Sequence, residues 1–184
     1  MGKLIVYNFE TLNGFFKGLN EDISWAKGDS KGEADFAAEK LQSGNILLFG
    51  RVTYEMMKSY WPTDAAKKAA PKVAEGMNMA EKIVFSKTLT NADWNNTRIV
   101  KSNIEEEVKK LKQGGKDMTV LGSGTIVTQF AEKGLIDEYQ IMVHPVLIGN
   151  GTPLLKDIKK KMELELIKTK TFESGVVLVC YRPV

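Results

Sequence analysis

The sequence predicts an α/β fold in which a mostly parallel sheet carries an antiparallel hairpin at one edge. Short apolar runs at residues 45–49, 82–85 and 118–121 alternate with segments of helical period. Such alternation is typical of sheets built from β-α-β units, whose central strands are apolar on both faces. From residue 162 onward two long strand patterns follow each other across a turn at residues 173–175, which indicates an antiparallel hairpin.

Each element follows from the period of its apolar residues. Strands are expected at residues 3–9, 45–49, 82–85, 97–101, 118–121, 136–143, 162–172 and 175–184, and helices at 33–43, 51–60, 104–112 and 125–132. In the first helix, Phe36, Ala37, Lys40 and Leu41 fall near one face. Residues 10–32 form a long polar connection, and such connections are often functional. A further polar connection is expected between Pro62 and Pro71.

Composition limits the classes of protein to which the chain can belong. Its 184 residues, 43% of them hydrophobic, suit a single domain spanning residues 1–184. The net charge of +3 is too small to indicate nucleic-acid binding. One cysteine excludes an internal disulfide, and no apolar run reaches the length of a membrane span. We therefore expect a cytoplasmic protein without a membrane or nucleic-acid partner.

Gly122-Ser123-Gly124 lies between an apolar strand and a helix that Thr125 begins. Ligands collect at the carboxyl ends of strands in open α/β sheets, and free amide groups at a helix start attract phosphate. The motif is short, and neither the full Gly-x-Gly-x-x-Gly fingerprint nor a P-loop is present. A phosphate site and a plain tight turn therefore both remain open.

Two other strands end in comparable loops. Gly50, Arg51 and Thr53 follow one strand, and Ser86 and Lys87 follow another. Arginine offers a planar fork suited to phosphate, such as the extra phosphate of NADPH. Taken singly, each loop has a simpler explanation. Arg51 can pair with a nearby side chain, and Ser86 and Lys87 can belong to an ordinary polar loop. Because the carboxyl ends of parallel strands share one edge of a sheet, the combination favours a nucleotide site.

Asp35 is the candidate catalytic acid. It lies on the first predicted helix beside the long connection, where a carboxyl group with a raised pKa can donate a proton or bind an aminopyrimidine edge. The alternative is an acid placed at a helix start by the helix dipole. His144, the single histidine, is interpreted as having a structural or interface role.

Several stretches together resemble a known superfamily: TLNGFFKG (11–18), LLFGRVTYE (47–55), YWP (60–62), KIVFSKTL (82–89), VLGSGTIVTQF (120–130), GLIDEYQI (134–141) and HPVLIGNGTPLL (144–155). They are similar to the dihydrofolate reductase fold, and more closely to the bacterial family that shares it with the reductase domain of riboflavin biosynthesis. The resemblance implies a three-layer α/β/α fold that binds NADPH. It implies cofactor contacts from Gly50, Arg51, Thr53, Ser86, Lys87, Gly122, Ser123, Gly124, Thr125 and Ile126.

The resemblance also implies a substrate site. Asn8, Asn13, Phe15 and Asp35 would contact the substrate, and residues 11–15 would form a mobile loop beside the nicotinamide. The implied activity is hydride transfer from NADPH to a pterin-like or pyrimidine substrate, with a proton from Asp35 or from water. One alternative is 5-amino-6-(5-phosphoribosylamino)uracil reductase, and another is a non-catalytic nucleotide-binding protein. Relatives commonly pair, so a homodimer is expected, with Pro145–Ile148 contributing to its interface.

Overall fold

The computed structural model describes residues 1–26 and 31–184, so that residues 27–30 of the predicted long connection lie outside the described residues. Its strands are β1 (Leu4–Thr11), β2 (Lys17–Gly18), β3 (Ile46–Gly50), β4 (Lys82–Phe85), β5 (Thr97–Val100), β6 (Met118–Leu121), β7 (Glu138–His144), β8 (Gly151–Thr152), β9 (Leu164–Thr171) and β10 (Val177–Pro183). Its helices are α1 (Lys31–Gln42), α2 (Arg51–Tyr60), α3 (Asp64–Ala69), α4 (Pro71–Met79), α5 (Ile104–Gln113) and α6 (Gly124–Glu132).

The central sheet has eight strands in the order β5-β4-β3-β6-β1-β7-β10-β9. Pairing is parallel from β5 through to β7. It is antiparallel between β7 and β10 and between β10 and β9. The predicted sheet with its antiparallel hairpin is confirmed, and the carboxyl ends of β4, β3 and β6 lie side by side.

Helices cover both faces of this sheet. On one face, Val108 of α5 and Phe130 of α6 pack against Val6 and Leu48 in a buried cluster. On the other face, α1, α2 and α4 contribute to a second cluster, in which Tyr54 and Met77 pack with strand residues such as Phe49. This arrangement confirms the three-layer α/β/α fold.

The connection between Pro62 and Pro71 contains the short helix α3, and α4 begins at Pro71; the sequence predicted neither helix. The Thr63 hydroxyl caps α3 by accepting a hydrogen bond of 3.2 Å from the Ala66 amide. Pro71 stands in the first turn of α4, where the amide that proline lacks has no helical acceptor. Pro71 therefore marks the start of a helix, whereas Pro62 precedes Thr63, the capping residue of α3.

Lys82 is a fully buried cation in β4. Its Nζ donates to the carbonyl oxygens of Met77, Asn78 and Ala80 at 2.9, 3.2 and 2.6 Å. The ammonium also lies 4.6 Å from the centroid of the Trp94 ring. Burial nevertheless lowers the pKa of Lys82 to about 8. The side chain fastens the carboxyl end of α4 to the sheet.

The last hairpin ends the sheet with an exposed strand. Every residue of β9 is exposed to solvent. Its register with β10 shifts between Cys180 and Tyr181, which pair with Lys168 and Leu166 respectively. The shift marks a β-bulge near the middle of this edge strand.

Within the described residues no helix is long and apolar enough to cross a membrane.

Candidate active site

The loops after β3 and β6 are joined by side-chain hydrogen bonds. The Ser123 hydroxyl accepts a bond of 2.8 Å from the Gly50 amide and donates one of 2.9 Å to the Leu121 carbonyl. The Thr53 hydroxyl accepts a bond of 3.1 Å from the Ser123 amide. Two of the three predicted phosphate loops therefore meet, and they position each other.

The glycines of the Gly-Ser-Gly motif have a packing role. Gly122 has φ +57°, and a Cβ there would lie 2.8 Å from Thr53 Cγ2. A Cβ on Gly124 would lie 2.9 Å from the Leu154 carbonyl oxygen and 3.3 Å from the Phe16 ring. The tight-turn interpretation thus accounts for both glycines without a ligand.

The start of α6 still offers donors to an anion. Ser123 has left-handed backbone angles, and no side chain caps the helix. The Ser123 carbonyl accepts hydrogen bonds from the amides of Ile126 and Val127 at 2.8 and 3.0 Å. The amides of Gly124 and Thr125 precede these and have no acceptor within the helix, as at any helix start. Ile126 itself is buried in the core, so its side chain serves packing.

The remaining predicted cofactor residues lie along the same edge. Arg51 is exposed and its Nη1 lies 2.9 Å from Glu55 Oε2, one helical turn away. The Ser86 hydroxyl accepts the amides of Thr88 and Leu89 at 3.2 and 3.0 Å, which closes a local turn. Lys87 is exposed. In this structure Arg51 is therefore paired locally, and Ser86 belongs to a polar turn.

A cavity of about 170 Å³ lies beside this edge, between the sheet and the helices α1, α2 and α4. Its floor spans β3, β6, β1 and β7, and most of the side chains around it are apolar. They include Ile5, Leu47 and Leu121 from strands, Ala37 and Leu41 from α1, Val52, Met56 and Met57 from α2, Trp61, and Val73 and Met77 from α4. Asn8, Thr53 and Gly122 also line it.

Gln140 supplies a polar group to the floor of this cavity. Its side chain is only 2% exposed. Its Nε2 donates to Glu138 Oε1 at 2.6 Å. Its Oε1 is buried with no hydrogen-bond donor in the parts of the chain that the structure describes. Buried polar atoms in proteins are nearly always paired, so this acceptor is unusual.

Two other polar groups of the cavity have partners within the protein. Lys17 Nζ pairs with Glu21 at 2.5 Å, and the Thr119 hydroxyl accepts the Asn45 amide at 3.0 Å. Lys40 Nζ lies 5.5 Å from the centroid of the Phe36 ring. Burial, with a smaller contribution from the charge of Glu33, raises the pKa of Tyr7 above its ordinary range. The Tyr7 phenol therefore stays neutral at physiological pH.

Three residues expected to contact substrate do not line the cavity. Asp35 is exposed on α1, because the face of this helix that reaches the cavity is formed by Ala37, Lys40 and Leu41. Asn13 holds the loop instead, since its Nδ2 donates to the Ile148 carbonyl at 2.8 Å. Phe15 packs beside Gly151, where an added Cβ would lie 2.9 Å from it.

Gln140, Thr119 and Phe16 line the cavity but are not among the predicted site residues. A signal was present for Gln140, which interrupts the apolar face that β7 turns toward α1. His144 follows on the same face, is buried, and lies between the rings of Phe9 and Trp25, each about 5.5 Å away. Burial lowers the pKa of His144.

Residues 1–26 and 31–184 contain no group of three or more His, Cys, Asp and Glu side chains placed to hold a metal.

Known proteins of similar sequence or structure match this chain over nearly its whole length. The uncharacterized protein YyaP of Bacillus subtilis is 35% identical over 173 residues, which cover 93% of this chain and 89% of YyaP. A solved Shewanella sp. PV-4 protein attributed to riboflavin biosynthesis has a TM-score of 0.76 at 20% identity and matches over 99% of both chains. This second likeness shows the fold alone.

A bifunctional enzyme adds a structural parallel. The Thermotoga maritima diaminohydroxyphosphoribosylaminopyrimidine deaminase/5-amino-6-(5-phosphoribosylamino)uracil reductase has a TM-score of 0.69 at 15% identity, and the match covers all of this chain but 57% of that one. The family model for the RibD C-terminal domain matches residues 2–178. With this match over nearly its full length, the chain belongs to the RibD C-terminal domain family.

Proposed function

We propose that this protein is an NADPH-dependent reductase that transfers hydride to a pterin-like or pyrimidine ring. The observation that carries the proposal is the position of the cavity. Thr53 and Gly122, two of the expected cofactor residues, line the same cavity as Asn8 and the apolar floor. A nucleotide at the loops would therefore adjoin a ring bound on the floor.

The residues present fit the diphosphate part of NADPH. The start of α6 has no side-chain cap, and helix starts of this kind attract phosphate through their amides and dipole. The amides of Gly50 and Ser123 already have acceptors within the protein. Gly124 and Thr125 would therefore hold the phosphates, with Lys87 at the adjoining loop.

When bound, NADPH supplies the hydride. The protein would orient the substrate, and apolar walls such as Met57, Trp61 and Leu41 would exclude bulk water from the cavity. Of the two proton sources expected from the sequence, water is favoured by the geometry. The Asp35 carboxylate is exposed and does not line the cavity.

Cofactor titration tests this proposal directly. NADPH and NADH are added separately to the purified protein, and tryptophan fluorescence is followed because Trp61 lines the cavity. We expect NADPH to bind more tightly, and Arg51→Gln to reduce that preference by about tenfold. The control is Arg182→Gln, since Arg182 is also exposed and paired with a glutamate but lies on β10. Absence of binding of either nucleotide to the folded protein would refute the proposal.

Turnover separates a reductase from a non-catalytic nucleotide-binding protein. A dihydropterin and a ribosylaminopyrimidine phosphate are supplied with NADPH, and loss of NADPH absorbance is followed. Consumption with the phosphorylated pyrimidine alone would favour the riboflavin-pathway alternative. Cofactor binding without consumption of NADPH over a panel of such rings would favour the non-catalytic alternative.

A homodimer in the cytoplasm remains part of the proposal. Leu147 and Leu12 are 68% and 67% exposed, and the Leu12 amide donates to the Val146 carbonyl at 2.9 Å, which joins the two segments. Exposed leucines of this kind are available to a second copy. Sedimentation equilibrium at micromolar concentration tests the state, and a monomer there would remove the dimer.

A further inference from the structure

Apolar side chains that are only half-buried form much of the cavity wall. Leu41, Met57, Trp61 and Leu121 come from different parts of the chain, and all four line the cavity. Each packs against the buried cluster on this face of the sheet and still keeps part of its surface accessible. Covering apolar surface of this kind releases water and favours an apolar ligand.

Two hydroxyl groups of the cavity already bond to the chain. The Thr119 hydroxyl accepts a hydrogen bond of 3.0 Å from the Asn45 amide group. The Thr53 hydroxyl accepts one of 3.1 Å from the backbone amide of Ser123. Both groups thus hold neighbouring segments in place, so a ligand with many polar groups would find few partners here.

The charged side chains of the cavity offer little to an anion. Lys17 Nζ donates to both carboxylate oxygens of Glu21, at 2.5 and 2.7 Å. Among the described residues, Lys40 is the remaining cation of the cavity without a carboxylate partner, and its Nζ lies 5.5 Å from the centroid of the Phe36 ring. A phosphate taken out of water needs several donors or cations to replace its hydration, and one lysine does not supply them.

The remaining walls suit a flat molecule. Phe16 and Trp61 present aromatic rings to the cavity, and Met56 and Met57 present thioether groups. Aromatic rings stack on or against other rings, and methionine side chains adapt their shape and make favourable sulfur–aromatic contacts. The wall therefore combines ring surfaces with adaptable side chains.

We infer that the part of the substrate held in this cavity is an uncharged, largely apolar, flat ring system without a phosphate or carboxylate group. The inference rests on the proposed function, because it narrows the substrate class of the same site. It argues against a phosphoribosylaminopyrimidine as the substrate of this protein.

A matched pair of probes tests the inference. 1-Naphthol and 1-naphthyl phosphate share one flat ring system and differ only in the phosphate. Each is titrated into the protein by calorimetry in phosphate buffer, so that inorganic phosphate competes for any anion site at the loops. We expect 1-naphthol to bind at least about tenfold more tightly. Equal or tighter binding of 1-naphthyl phosphate would overturn the inference.

A pair of methionine variants locates the bound ring. Met56→Gln places an amide on the cavity wall at similar side-chain length, and we expect it to weaken 1-naphthol binding about fivefold. Met79→Gln is the control, since Met79 is 70% exposed on α4 and does not line the cavity. Circular dichroism checks that both variants fold. Unchanged binding in Met56→Gln, or an equal loss in Met79→Gln, would place the ring elsewhere and contradict the inference.

The cofactor titration separates this inference from the proposed function. If NADPH binds and 1-naphthyl phosphate binds as tightly as 1-naphthol, the reductase proposal stands and the inferred substrate class is wrong. If 1-naphthol is preferred but neither nucleotide binds, the reductase proposal fails, and the ring can no longer be called a substrate.

Discussion

Lys82 and Gln140 are both polar, both buried and both on the central sheet, yet their surroundings differ. Lys82 directs its ammonium at three carbonyl oxygens of the chain. Gln140 has one donor bond to Glu138 and leaves Oε1 without a partner among the described residues. The ammonium of the first site has all its partners within the protein, whereas the second site leaves one buried acceptor unpaired among the described residues.

The difference separates a buried polar group that is fully paired within the chain from one that is only partly paired. A buried group that stabilises the fold has its partners in the chain, because an unpaired one lowers stability.

Lys82→Met should destabilise the protein strongly. It leaves the carbonyls of Met77, Asn78 and Ala80 without the ammonium donor, and we expect the free energy of unfolding to fall by about 2–4 kcal/mol. Urea denaturation followed by circular dichroism measures it. Lys72→Met is the control, since Lys72 is exposed on α4. A loss below about 1 kcal/mol would contradict the structural role of Lys82.

Gly122→Ala tests the loop that joins β6 to α6. Alanine must adopt φ +57° and place its Cβ 2.8 Å from Thr53 Cγ2, so we expect a loss of about 2–3 kcal/mol, including about 1 kcal/mol for the backbone. Gly44→Ala isolates that backbone part, because Gly44 has φ +78° and no atom within 4 Å of an added Cβ. NADPH affinity should fall only in Gly122→Ala. Equal losses in the two variants would show that the contact with Thr53 is unimportant.

The pH dependence of stability gives a smaller effect. In the folded protein the pKa of Lys82 lies at about 8, below its ordinary value of 10.5. Between these values the unfolded chain binds more protons than the folded one, so stability contributed by this group rises as pH rises. As the pH rises from 8 to 10, we expect the free energy of unfolding of the wild type to increase relative to that of Lys82→Met. A decrease of the wild-type value relative to the variant over this range would contradict the lowered pKa of Lys82.

Gln140→Leu should change stability least, by less than about 1 kcal/mol. The lost bond from Nε2 to Glu138 is offset by the removal of a buried, unpaired acceptor. Urea denaturation of this variant beside Lys82→Met compares the two sites directly. A loss as large as that of Lys82→Met would show that Gln140 contributes as much to stability as Lys82 does.

The sheet and its edge were predictable because local periods encode them. Apolar runs identified the parallel strands, and parallel pairing alone requires their carboxyl ends to meet, which is how Gly50 and Ser123 come together. The first helix also presents the predicted face, since Ala37, Lys40 and Leu41 line the cavity. The same helical period places Asp35 on the exposed side, so the sequence contained the means to doubt its catalytic role.

The cavity itself was not predictable, because its walls come from segments that are distant along the chain. Trp61, Met77 and Phe16 meet only after three layers have packed. Whether a buried polar atom is paired depends on this packing too. Gln140 was visible as a polar residue within a strand, but the absence of a donor for its Oε1 is a property of the assembled structure.

The exposed hairpin strand β9 bears on how the protein behaves in concentrated solution. An edge strand offers its free backbone groups to any other strand, and bulges and lysines are the usual protection against such sheet extension. β9 has both, in the register shift opposite Cys180 and Tyr181 and in Lys168 and Lys170. The outer strand therefore contributes to colloidal stability, and the two lysines discourage the growth of the sheet into fibres.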